Sequence, residues 1–456
     1  MPDPTSMHRY TDETERVAQA ALAYARDRLR LHPVPLDGPR TPDELRAAAG
    51  ETITPFGLGG EAALRLFADV LADATVSIDN PRYLAFIPGA PTESATLFDL
   101  VVAASAIYGG SWLEGAGAVY AENQALRWVA DLAGLPGSAG GCFVQGGTVG
   151  NLSALVTARH AFLAARGERP PGRLQVAATD EVHSSIVTAA QVMDVDMVGV
   201  PTDAGGRMRA DALEAALADR AGEGLFAAVA TAGTTNLGVI DDLAGIAEVC
   251  ARRGIWFHVD AAYGGAALAA PSVRDRFAGI ERCDSFIVDP HKWLFAPFDC
   301  CALLYRNPEL GRLAHAQHAG YLEPLQGGAE WNPSDYAVHL SRRARGLPFW
   351  FSLAAHGTEA YREAIEHTLT VAGQARAELE ARPYLELLND PDLTVLCIRR
   401  TGWEPDDYTE WSARLLREGA AFITPTTVAG EVVTRIAIVN PRTTREDIAA
   451  ILDTMA

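Results

Sequence analysis

The chain has 456 residues, of which 48% are hydrophobic and 21% charged, a composition that is typical of a folded globular protein and excludes a disordered one. The 38 basic and 58 acidic residues give a net charge of −20, and such a surface repels nucleic-acid phosphates and anionic lipids. We therefore expect neither a nucleic-acid partner nor a membrane-surface role.

The first part of the chain predicts helices over residues 12–30, 41–50 and 61–74. Asp12 and Glu15 can cap the first of these helices. Thr41 and Glu44, with a proline between them, are typical of the capping box that begins a helix. A segment of three short helices buries too little apolar surface to fold alone. We expect residues 1–80 to form a helical segment that packs on the main body or on a second subunit.

Strand-length apolar runs then alternate with segments of helical periodicity such as 210–220 and 243–253. The runs cover residues 142–144, 174–178, 195–200, 225–230, 255–259, 285–288 and 301–305. This alternation predicts an α/β domain with a mainly parallel sheet and helices on both faces. We assign residues 81–345 to this large domain.

The pattern changes after residue 345. Two apolar helices are predicted over 348–356 and 358–381, and two strands over 394–398 and 432–439. We assign residues 346–456 to a small C-terminal α+β domain.

Ligands of a parallel sheet bind at the carboxyl ends of its strands, so the residues that follow each strand are the candidates for a site. The first strand is followed by Gly146-Gly147-Thr148 and then a helix. Such a turn offers backbone N–H groups and the positive end of a helix to an anion, although a tight turn that merely needs glycine gives the same pattern. His183 follows the second strand beside two serines, and Thr235 lies in the polar loop after the fourth.

Asp260 ends the fifth strand, and Lys292 follows the sixth. Lys292 is the only lysine in a chain with 37 arginines. A buried aspartate needs a cation or a hydrogen-bond donor, and the ε-amine of lysine forms an imine where guanidinium does not. With the anion-binding turn, these residues fit a phosphate-bearing aldehyde cofactor that is bound to Lys292 as a Schiff base, with Asp260 paired to the nitrogen of its pyridine ring.

The six cysteines form no C-x-x-C pair and have no zinc-finger spacing, so we expect buried, reduced thiols and no metal site. The N-terminus lacks the apolar core of a signal peptide, and no apolar run approaches the length of a membrane span. We therefore expect a cytoplasmic protein.

Two motifs, H-V-D-A-A-Y-G-G from His258 and D-P-H-K-W-L from Asp289, resemble those of the group II pyridoxal-phosphate-dependent amino-acid decarboxylases, in particular aromatic-L-amino-acid decarboxylase. The glycine-rich turn at 146–151, G-T-T-N at 233–236 and the arginine-rich segment 340–347 stand in that family's order and spacing. The resemblance covers nearly the whole chain. It implies the PLP-dependent transferase fold type I, with a mainly parallel seven-stranded sheet, and a homodimer whose active site lies at the subunit interface.

The resemblance also implies roles for single residues. Lys292 would carry the cofactor, pyridoxal 5′-phosphate, and Asp260 would pair with its ring nitrogen. Ala262 and His183 would contact opposite faces of the ring. The expected catalytic set consists of Lys292, Asp260, His183 and Tyr321.

The remaining implied roles concern the phosphate, the substrate and a mobile loop. Gly147, Thr148 and His291 would lie around the phosphate, and Thr235 would lie near the Schiff base and the substrate carboxylate. Tyr321, in H-A-G-Y-L-E-P, matches the family's loop tyrosine, which protonates the substrate carbon after carbon dioxide has left. A half-exposed loop aromatic is the alternative interpretation of Tyr321.

Two segments match the family's side-chain pocket, and they supply Phe86, Ile87, Pro88, Tyr108 and Trp112. Their aromatic residues favour an aromatic or apolar substrate side chain.

The sequence departs from the family pattern at two positions. Asp289 stands where aromatic-L-amino-acid decarboxylase has asparagine, and a carboxylate near a phosphate would repel it. Asp289 must therefore face elsewhere or meet a donor. Gly110 replaces a bulky residue, which reshapes the expected pocket.

The resulting hypothesis is decarboxylation of an L-amino acid to its amine and carbon dioxide. One alternative is an aldehyde synthase, which couples decarboxylation to oxidative deamination. In this family that outcome accompanies loss of the loop tyrosine or the stacking histidine, and both Tyr321 and His183 are present. Two less favoured candidates are an aminotransferase of the same fold type and a non-catalytic protein that binds the cofactor.

Overall fold

A computed structural model describes residues 5–218, 224–317, 320 and 331–456 of the chain. Its N-terminal part contains α1 (Asp12–Leu29), α2 (Pro42–Ala49) and α3 (Gly60–Leu66). The predicted capping box of α2 is confirmed, with the Glu44 backbone N–H donating to Thr41 Oγ1 over 3.3 Å. The predicted cap of α1 is wrong. The Thr11 hydroxyl accepts the Thr14 N–H at 3.3 Å, so this threonine caps the helix in place of Asp12.

The third predicted helix is only partly α-helical. After α3 the chain continues as a π-helical turn (Phe67–Leu71) and a 3-10 turn (Ala72–Ala74). Helices α1, α2 and α3 contain no fully buried residue. These helices therefore contribute no residue to the buried core.

A seven-stranded sheet forms the centre of the described chain, as the resemblance implied. Its strands are β1 (Gly140–Val144), β2 (Gln175–Ala178), β3 (Asp196–Gly199), β4 (Leu225–Thr231), β5 (Trp256–Asp260), β6 (Ser285–Val288) and β7 (Cys301–Tyr305). Their order is β1-β7-β6-β5-β4-β2-β3, and β7 is the strand that runs antiparallel to its neighbours. All seven residues of β4 are buried, as a central strand covered on both faces requires.

Helices cover both faces of this sheet. They are α5 (Trp112–Leu132), α6 (Gly147–Arg166), α7 (Ser184–Met193), α8 (Ala210–Leu217), α9 (Leu243–Arg253) and α10 (Pro308–His315). A further helix, α4 (Glu93–Ala104), packs against α5 and not on the sheet. Alternate residues of β7 show the two layers. Ala302 and Leu304 pack into one apolar cluster, and Cys301, Leu303 and Tyr305 pack into the other. The carboxyl ends of β4, β5 and β6 therefore open at one edge of a rigid, doubly covered sheet.

The C-terminal part begins with the long helix α11 (Leu347–Glu380). Gly357 interrupts it with a φ of 78°, which confirms the break predicted between residues 356 and 358. An antiparallel sheet of four strands follows: β8 (Leu385–Leu387), β9 (Val395–Arg400), β10 (Thr424–Val428) and β11 (Glu431–Ala437). Their order in the sheet is β10-β11-β9-β8. Two helices, α12 (Pro405–Arg417) and α13 (Arg445–Asp453), pack with this sheet.

All six cysteines lie in the described residues, where they are buried and unpaired, as predicted. Among the described helices, none is both long and apolar enough to cross a membrane. The domain boundaries after residues 80 and 345 stay predictions.

Candidate active site

A cavity of about 320 Å³ lies at the carboxyl ends of β4, β5 and β6. The predicted cofactor residues line it together: Gly147, Thr148, His183, Thr235, Asp260, Ala262, His291 and Lys292. They come from separate loops and helix starts, and the parallel strands bring them to one place because their carboxyl ends share one edge. Their individual roles stay predictions.

The start of α6 forms one wall of the cavity. The N-cap residue Gly146 supplies no side-chain hydrogen bond, so no side chain caps the first N–H groups of this helix. A Cβ on Gly147 would lie 3.2 Å from Asp289 Oδ2, a tight contact that explains a glycine at this position. The uncapped N–H groups and the helix dipole can bind an anion here.

Polar atoms in the same cavity lack partners. Gln145 Oε1, Thr231 Oγ1 and Asp289 Oδ1 are buried, and none has a hydrogen-bond partner among the described residues. Unpartnered buried polar atoms are costly in a folded protein, so three of them lining one cavity indicate that a polar ligand belongs there.

Asp260 is held by two donors. Asn151 Nδ2 donates to its Oδ2 over 2.8 Å, and the Ala262 backbone N–H donates to its Oδ1 over 3.0 Å. Asn151 Nδ2 also donates to Ser185 Oγ over 2.9 Å. The Ser185 Oγ lies 2.9 Å from His183 Nδ1, which also caps α7 by accepting the Ser185 backbone N–H. Asp260 and His183 are thus connected through Asn151 and Ser185.

The same polar chain continues through the sheet, away from the cavity. Asn151 Oδ1 lies 2.9 Å from His258 Nε2, and His258 Nδ1 lies 2.8 Å from Ser285 Oγ. Trp256 Nε1 donates to Ser285 Oγ over 2.8 Å. We call these six residues the polar chain: Trp256, Ser285, His258, Asn151, Ser185 and Asp260.

The directions follow from the two fixed ends, because the indole of Trp256 can only donate and Asn151 Oδ1 can only accept. His258 Nε2 is therefore the donor to Asn151, and Ser285, which accepts from Trp256, donates to His258 Nδ1. Burial lowers the pKa of His258 to about 4, so its ring is neutral and its one proton lies on Nε2, directed at Asn151 Oδ1. The Asn151 amide group then has both its hydrogens facing Asp260 and Ser185. Asp260 is thereby fixed as an acceptor that faces the cavity.

Lys292 forms an ion pair with Asp289, whose Oδ2 lies 2.8 Å from Nζ. The Asp289 carboxylate thus meets a donor, which is one of the two outcomes expected for it. Burial alone would lower the pKa of Lys292, but Asp289 and Asp260 outweigh it and raise that pKa above its usual value. His291 lies beside the pair, with Nε2 3.7 Å from Asp289 Oδ2, and burial lowers the pKa of its imidazole.

Comparison with known proteins identifies this arrangement. The profile of the pyridoxal-dependent decarboxylase conserved domain matches residues 63–401. The chain belongs to this family. It is therefore a pyridoxal-phosphate-dependent amino-acid decarboxylase, a carboxy-lyase, and its cofactor is pyridoxal 5′-phosphate.

Its relatives differ in their substrates. The decarboxylase is 30% identical to the aromatic-L-amino-acid decarboxylase of Bacillus atrophaeus over 90% of this chain and 88% of that one. It is 31% identical to the L-2,4-diaminobutyrate decarboxylase of Rhizobium meliloti (strain 1021) over 88% and 83%. The solved structure of Oryza sativa TDC with PLP and tryptamine superimposes with a TM-score of 0.91 at 24% identity, covering 100% of this chain and 99% of that one. This structural likeness shows fold type I.

The cavity fits the cofactor on its own geometry. An uncapped helix start suits a phosphate, the hydrogen-bonded Asp260 suits a ring nitrogen, and the primary amine of Lys292 suits an aldehyde. The unpartnered polar atoms lie on the wall of the same cavity.

The predicted substrate-pocket residues do not line this cavity in the single decarboxylase chain. Phe86 lies near it, because Arg435 donates from its two terminal nitrogens to the carbonyls of Phe86 and Thr235. Ile87 and Pro88 are buried beside Phe86. Tyr321 lies outside the described residues.

Tyr108 contacts the arginine-rich segment, and Trp112 contacts the stretch of chain that precedes it. The Tyr108 hydroxyl donates to the Leu340 carbonyl over 2.9 Å, and the Trp112 backbone N–H donates to Asn332 Oδ1 over 2.9 Å. Arg342 in that segment forms a fully buried bidentate pair with Glu122, over 2.8 and 3.0 Å. The arginine-rich segment thus stabilises the packing of α5 against the sheet, and its Arg345 forms an ion pair with Asp299 at the cavity wall.

Sequence reasoning missed several cavity residues, namely Asn151, Ser185, Thr231, Phe298 and Asp299. It also missed Arg435, which is only 5% exposed and has no carboxylate partner among the described residues. Asn151 stands inside the glycine-rich motif at 146–151, which could have drawn attention to it. Ser185 and Thr231 also stand in strand-end segments that the sequence indicated, close to His183 and Thr235. Phe298, Asp299 and Arg435 carry no such local signal, because only the fold brings them to the cavity.

Proposed function

We propose that the decarboxylase converts an L-amino acid with an aromatic or apolar side chain into the corresponding amine and carbon dioxide. The observation that carries this proposal is the aromatic surface at the cavity. Phe298 lines the cavity and is 53% exposed, and Phe86 nearby is 57% exposed. Large exposed apolar groups beside a ligand cavity are typical of a surface that binds an apolar ligand.

The two phenylalanines belong to one continuous region. Gly89, three residues after Phe86, approaches Phe298 so closely that a Cβ there would lie 3.9 Å from Phe298 Cε2. Phe86 packs edge-on against Phe422, with ring centroids 6.0 Å apart, and Tyr83 also packs edge-on against Phe422 at 4.9 Å. A substrate side chain that emerges from the cavity on this side would meet aromatic rings.

The chain's polar groups would position the reacting end of the substrate. Arg435 is buried behind Thr235 without a neutralising carboxylate among the described residues, so its charge favours a carboxylate in front of that wall. Asp260 remains an acceptor because Asn151 of the polar chain and the Ala262 backbone N–H are its donors. His183 presents Nε2 to the cavity because its Nδ1 is occupied by Ser185.

When bound, pyridoxal phosphate would supply an electron-accepting ring, which takes up the electron pair that remains when carbon dioxide leaves the α-carbon. The chain would hold the phosphate at the start of α6, keep the ring nitrogen protonated through Asp260 and provide the amine of Lys292. We propose Tyr321 as the group that delivers a proton to the substrate carbon. That position lies in the stretch between α10 and the arginine-rich segment.

We propose that the decarboxylase is a homodimer. Exposed apolar side chains occur on the N-terminal segment, on α4 and on α5: Ile53, Phe56, Leu97, Leu100, Val101, Leu113 and Tyr120. A second copy that covers this surface would remove them from water and could bring Tyr108 and Trp112 to the neighbouring cavity. Sedimentation velocity tests this, since Leu100→Glu should produce monomers and a monomeric wild type would contradict it.

We also propose the cytoplasm as its location, because six unpaired buried thiols suit a reducing compartment. Cell fractionation with an antibody tests this proposal.

A panel of amino acids tests the reaction and its substrate. Each is incubated with the loaded enzyme, and carbon dioxide, amine, aldehyde, ammonia and peroxide are measured together. We expect carbon dioxide and amine in equal amounts, with the fastest release from aromatic or apolar substrates. Aldehyde with ammonia and peroxide in place of amine would identify an aldehyde synthase. Fastest release from an acidic or diamino substrate would contradict the proposed side-chain class.

A further inference from the structure

Asp289 occupies a position that is costly for a carboxylate. It is only 2% exposed, and its Oδ2 lies 3.2 Å from where a Cβ of Gly147 would stand, beside the helix start that can bind an anion. Its backbone is fixed at both ends of the turn. The Asp289 N–H donates to the Ala262 carbonyl over 3.0 Å, and the Lys292 N–H donates to the Asp289 carbonyl over 2.9 Å. A negative charge held beside an anion site weakens anion binding, so another function must favour it.

That function concerns Lys292. Asp289 Oδ2 lies 2.8 Å from Nζ, within hydrogen-bond distance. The other carboxylate close enough to raise the pKa of Lys292 is Asp260, but the donors Asn151 and Ala262 already satisfy it. Within the described residues, Asp289 is therefore the group that forms an ion pair with the lysine.

The remaining titratable groups around the pair are few. His291 faces Asp289 from the same turn, and the thiol of Cys301 faces both partners from β7. Asp299 lines the cavity, where Arg345 is its ion-pair partner. Burial alone would raise the pKa of Asp289, but Lys292 and His291 outweigh it, and the net pKa is lower than usual. The pair is thus a carboxylate and an ammonium ion that stabilise each other.

We propose that Asp289 is a positioning residue for Lys292: its carboxylate holds Nζ at 2.8 Å as an ammonium ion and so sets the pH at which the lysine becomes a neutral amine. When the proton leaves to solvent, an N–H bond of Nζ breaks, its electron pair stays on nitrogen, and nothing is oxidised or reduced. An asparagine at this position could accept a hydrogen bond from the ammonium ion but would not stabilise its charge.

The proposal rests on the proposed function only in taking Lys292 as the lysine that carries the cofactor. The ion pair itself can be tested without any substrate. Because Lys292 is the only lysine, protein grown with lysine carbon-13-labelled at Cε gives one side-chain signal in a proton–carbon correlation spectrum. The pH at which that signal moves reports the protonation of Nζ directly.

The experiment titrates the full-length, cofactor-free protein and three variants. Asp289→Asn removes the charge with almost no change in shape, and Asp289→Glu keeps it. Asp299→Asn is the control, because it removes a carboxylate of the same cavity that is paired with Arg345 and not with Lys292. We expect Asp289→Asn to lower the pKa of Lys292 by about one to three pH units, since an opposite charge at this distance has an effect of that size. Asp289→Glu should keep most of the wild-type value, and Asp299→Asn should leave it nearly unchanged.

The wild-type titration needs no variant. Lys292 should remain an ammonium ion above the usual lysine value of about pH 10.4. A wild-type pKa below that value, or equal effects of Asp289→Asn and Asp299→Asn, would overturn the proposal. Neither result depends on carbon dioxide release, so failure of the ion pair is distinguishable from failure of the proposed reaction. In the loaded enzyme, the cofactor's absorption spectrum should also shift its pH midpoint downward in Asp289→Asn and not in Asp299→Asn.

Discussion

Replacing Asn151 with alanine should destabilise the decarboxylase strongly and weaken its hold on the cofactor. Asn151 is 1% exposed and occupies the branch point of the polar chain, where it makes a hydrogen bond with each of His258, Ser185 and Asp260. With alanine at this position, each of the three partners stays buried and loses one hydrogen bond.

The size of the effect follows from those three bonds. Each of the two neutral bonds contributes about 1 kcal/mol to stability, and the bond to the Asp260 carboxylate contributes about 2 kcal/mol. The expected loss is about 4 kcal/mol in the free energy of unfolding. Asp260 also loses the donor that orients it toward the ring nitrogen, so we expect affinity for pyridoxal phosphate to fall at least about tenfold.

Urea melts of the cofactor-free protein measure the first effect, and spectroscopic titration with pyridoxal phosphate measures the second. Thr157→Val is the matched control. It removes a buried hydroxyl from the same helix, where Thr157 bonds to Tyr305 and His315 but not to the polar chain. The control should cost about 1–2 kcal/mol and leave cofactor affinity unchanged. A loss below about 1 kcal/mol in Asn151→Ala, with unchanged affinity, would refute the role of the polar chain.

Three further predictions concern other parts of the molecule. Burial lowers the pKa of His315 to about 4, so between about pH 6.5 and 4 the unfolded chain binds a proton that the folded chain does not, and stability falls as the pH falls through that window. His315→Gln should reduce that fall by about 3 kcal/mol in urea melts at neutral and acidic pH, and an unchanged fall would contradict it. Glu122→Gln leaves the buried Arg342 without its counter-ion and should lower the free energy of unfolding by about 3–5 kcal/mol, whereas an unaltered melt would contradict the buried pair. Tyr321→Phe should slow amine formation by about a hundredfold or more while substrate binding persists, and undiminished amine yield without aldehyde would disprove its role as proton donor.

The central sheet was predicted closely from the sequence, because its signals are local. The runs at 285–288 and 301–305 correspond to β6 and β7 residue for residue, and the other five strands differ by one or two residues at an end. Buried parallel strands are continuous apolar runs, which a single sequence displays directly. The short strands β8 and β10 escaped prediction. β10 is nowhere fully buried, and β8 has only three residues.

The site was predictable where motif and topology agree. Lys292 and Asp260 stand at strand ends, and the rule that ligands gather there is enough to place them together from the sequence alone. The partner of Asp289, in contrast, could not be predicted. The sequence showed only that a carboxylate near a phosphate needs a donor, and the structure shows that this donor is Nζ of Lys292.

Contacts between residues that are far apart along the chain could not be predicted from the sequence. Arg435 reaches the carbonyls of Phe86 and Thr235 from β11, although it is 349 residues from the first and 200 residues from the second along the chain. The pocket residues Tyr108 and Trp112, assigned by resemblance, do not line the cavity of their own chain. Whether they serve a neighbouring cavity depends on a second subunit, which a pattern within one chain does not encode.

The attachment of the cofactor to Lys292 is the central claim, and one measurement tests it most directly. The holoenzyme is reduced with borohydride, digested, and mapped by mass spectrometry for the peptide that carries the reduced cofactor. Because no other side-chain amine exists, the only competitor is the N-terminal amine. We expect one modified peptide, containing Lys292, and none in Lys292→Arg. A holoenzyme whose reduced cofactor is found on the N-terminus, or on no peptide at all, would contradict the claim.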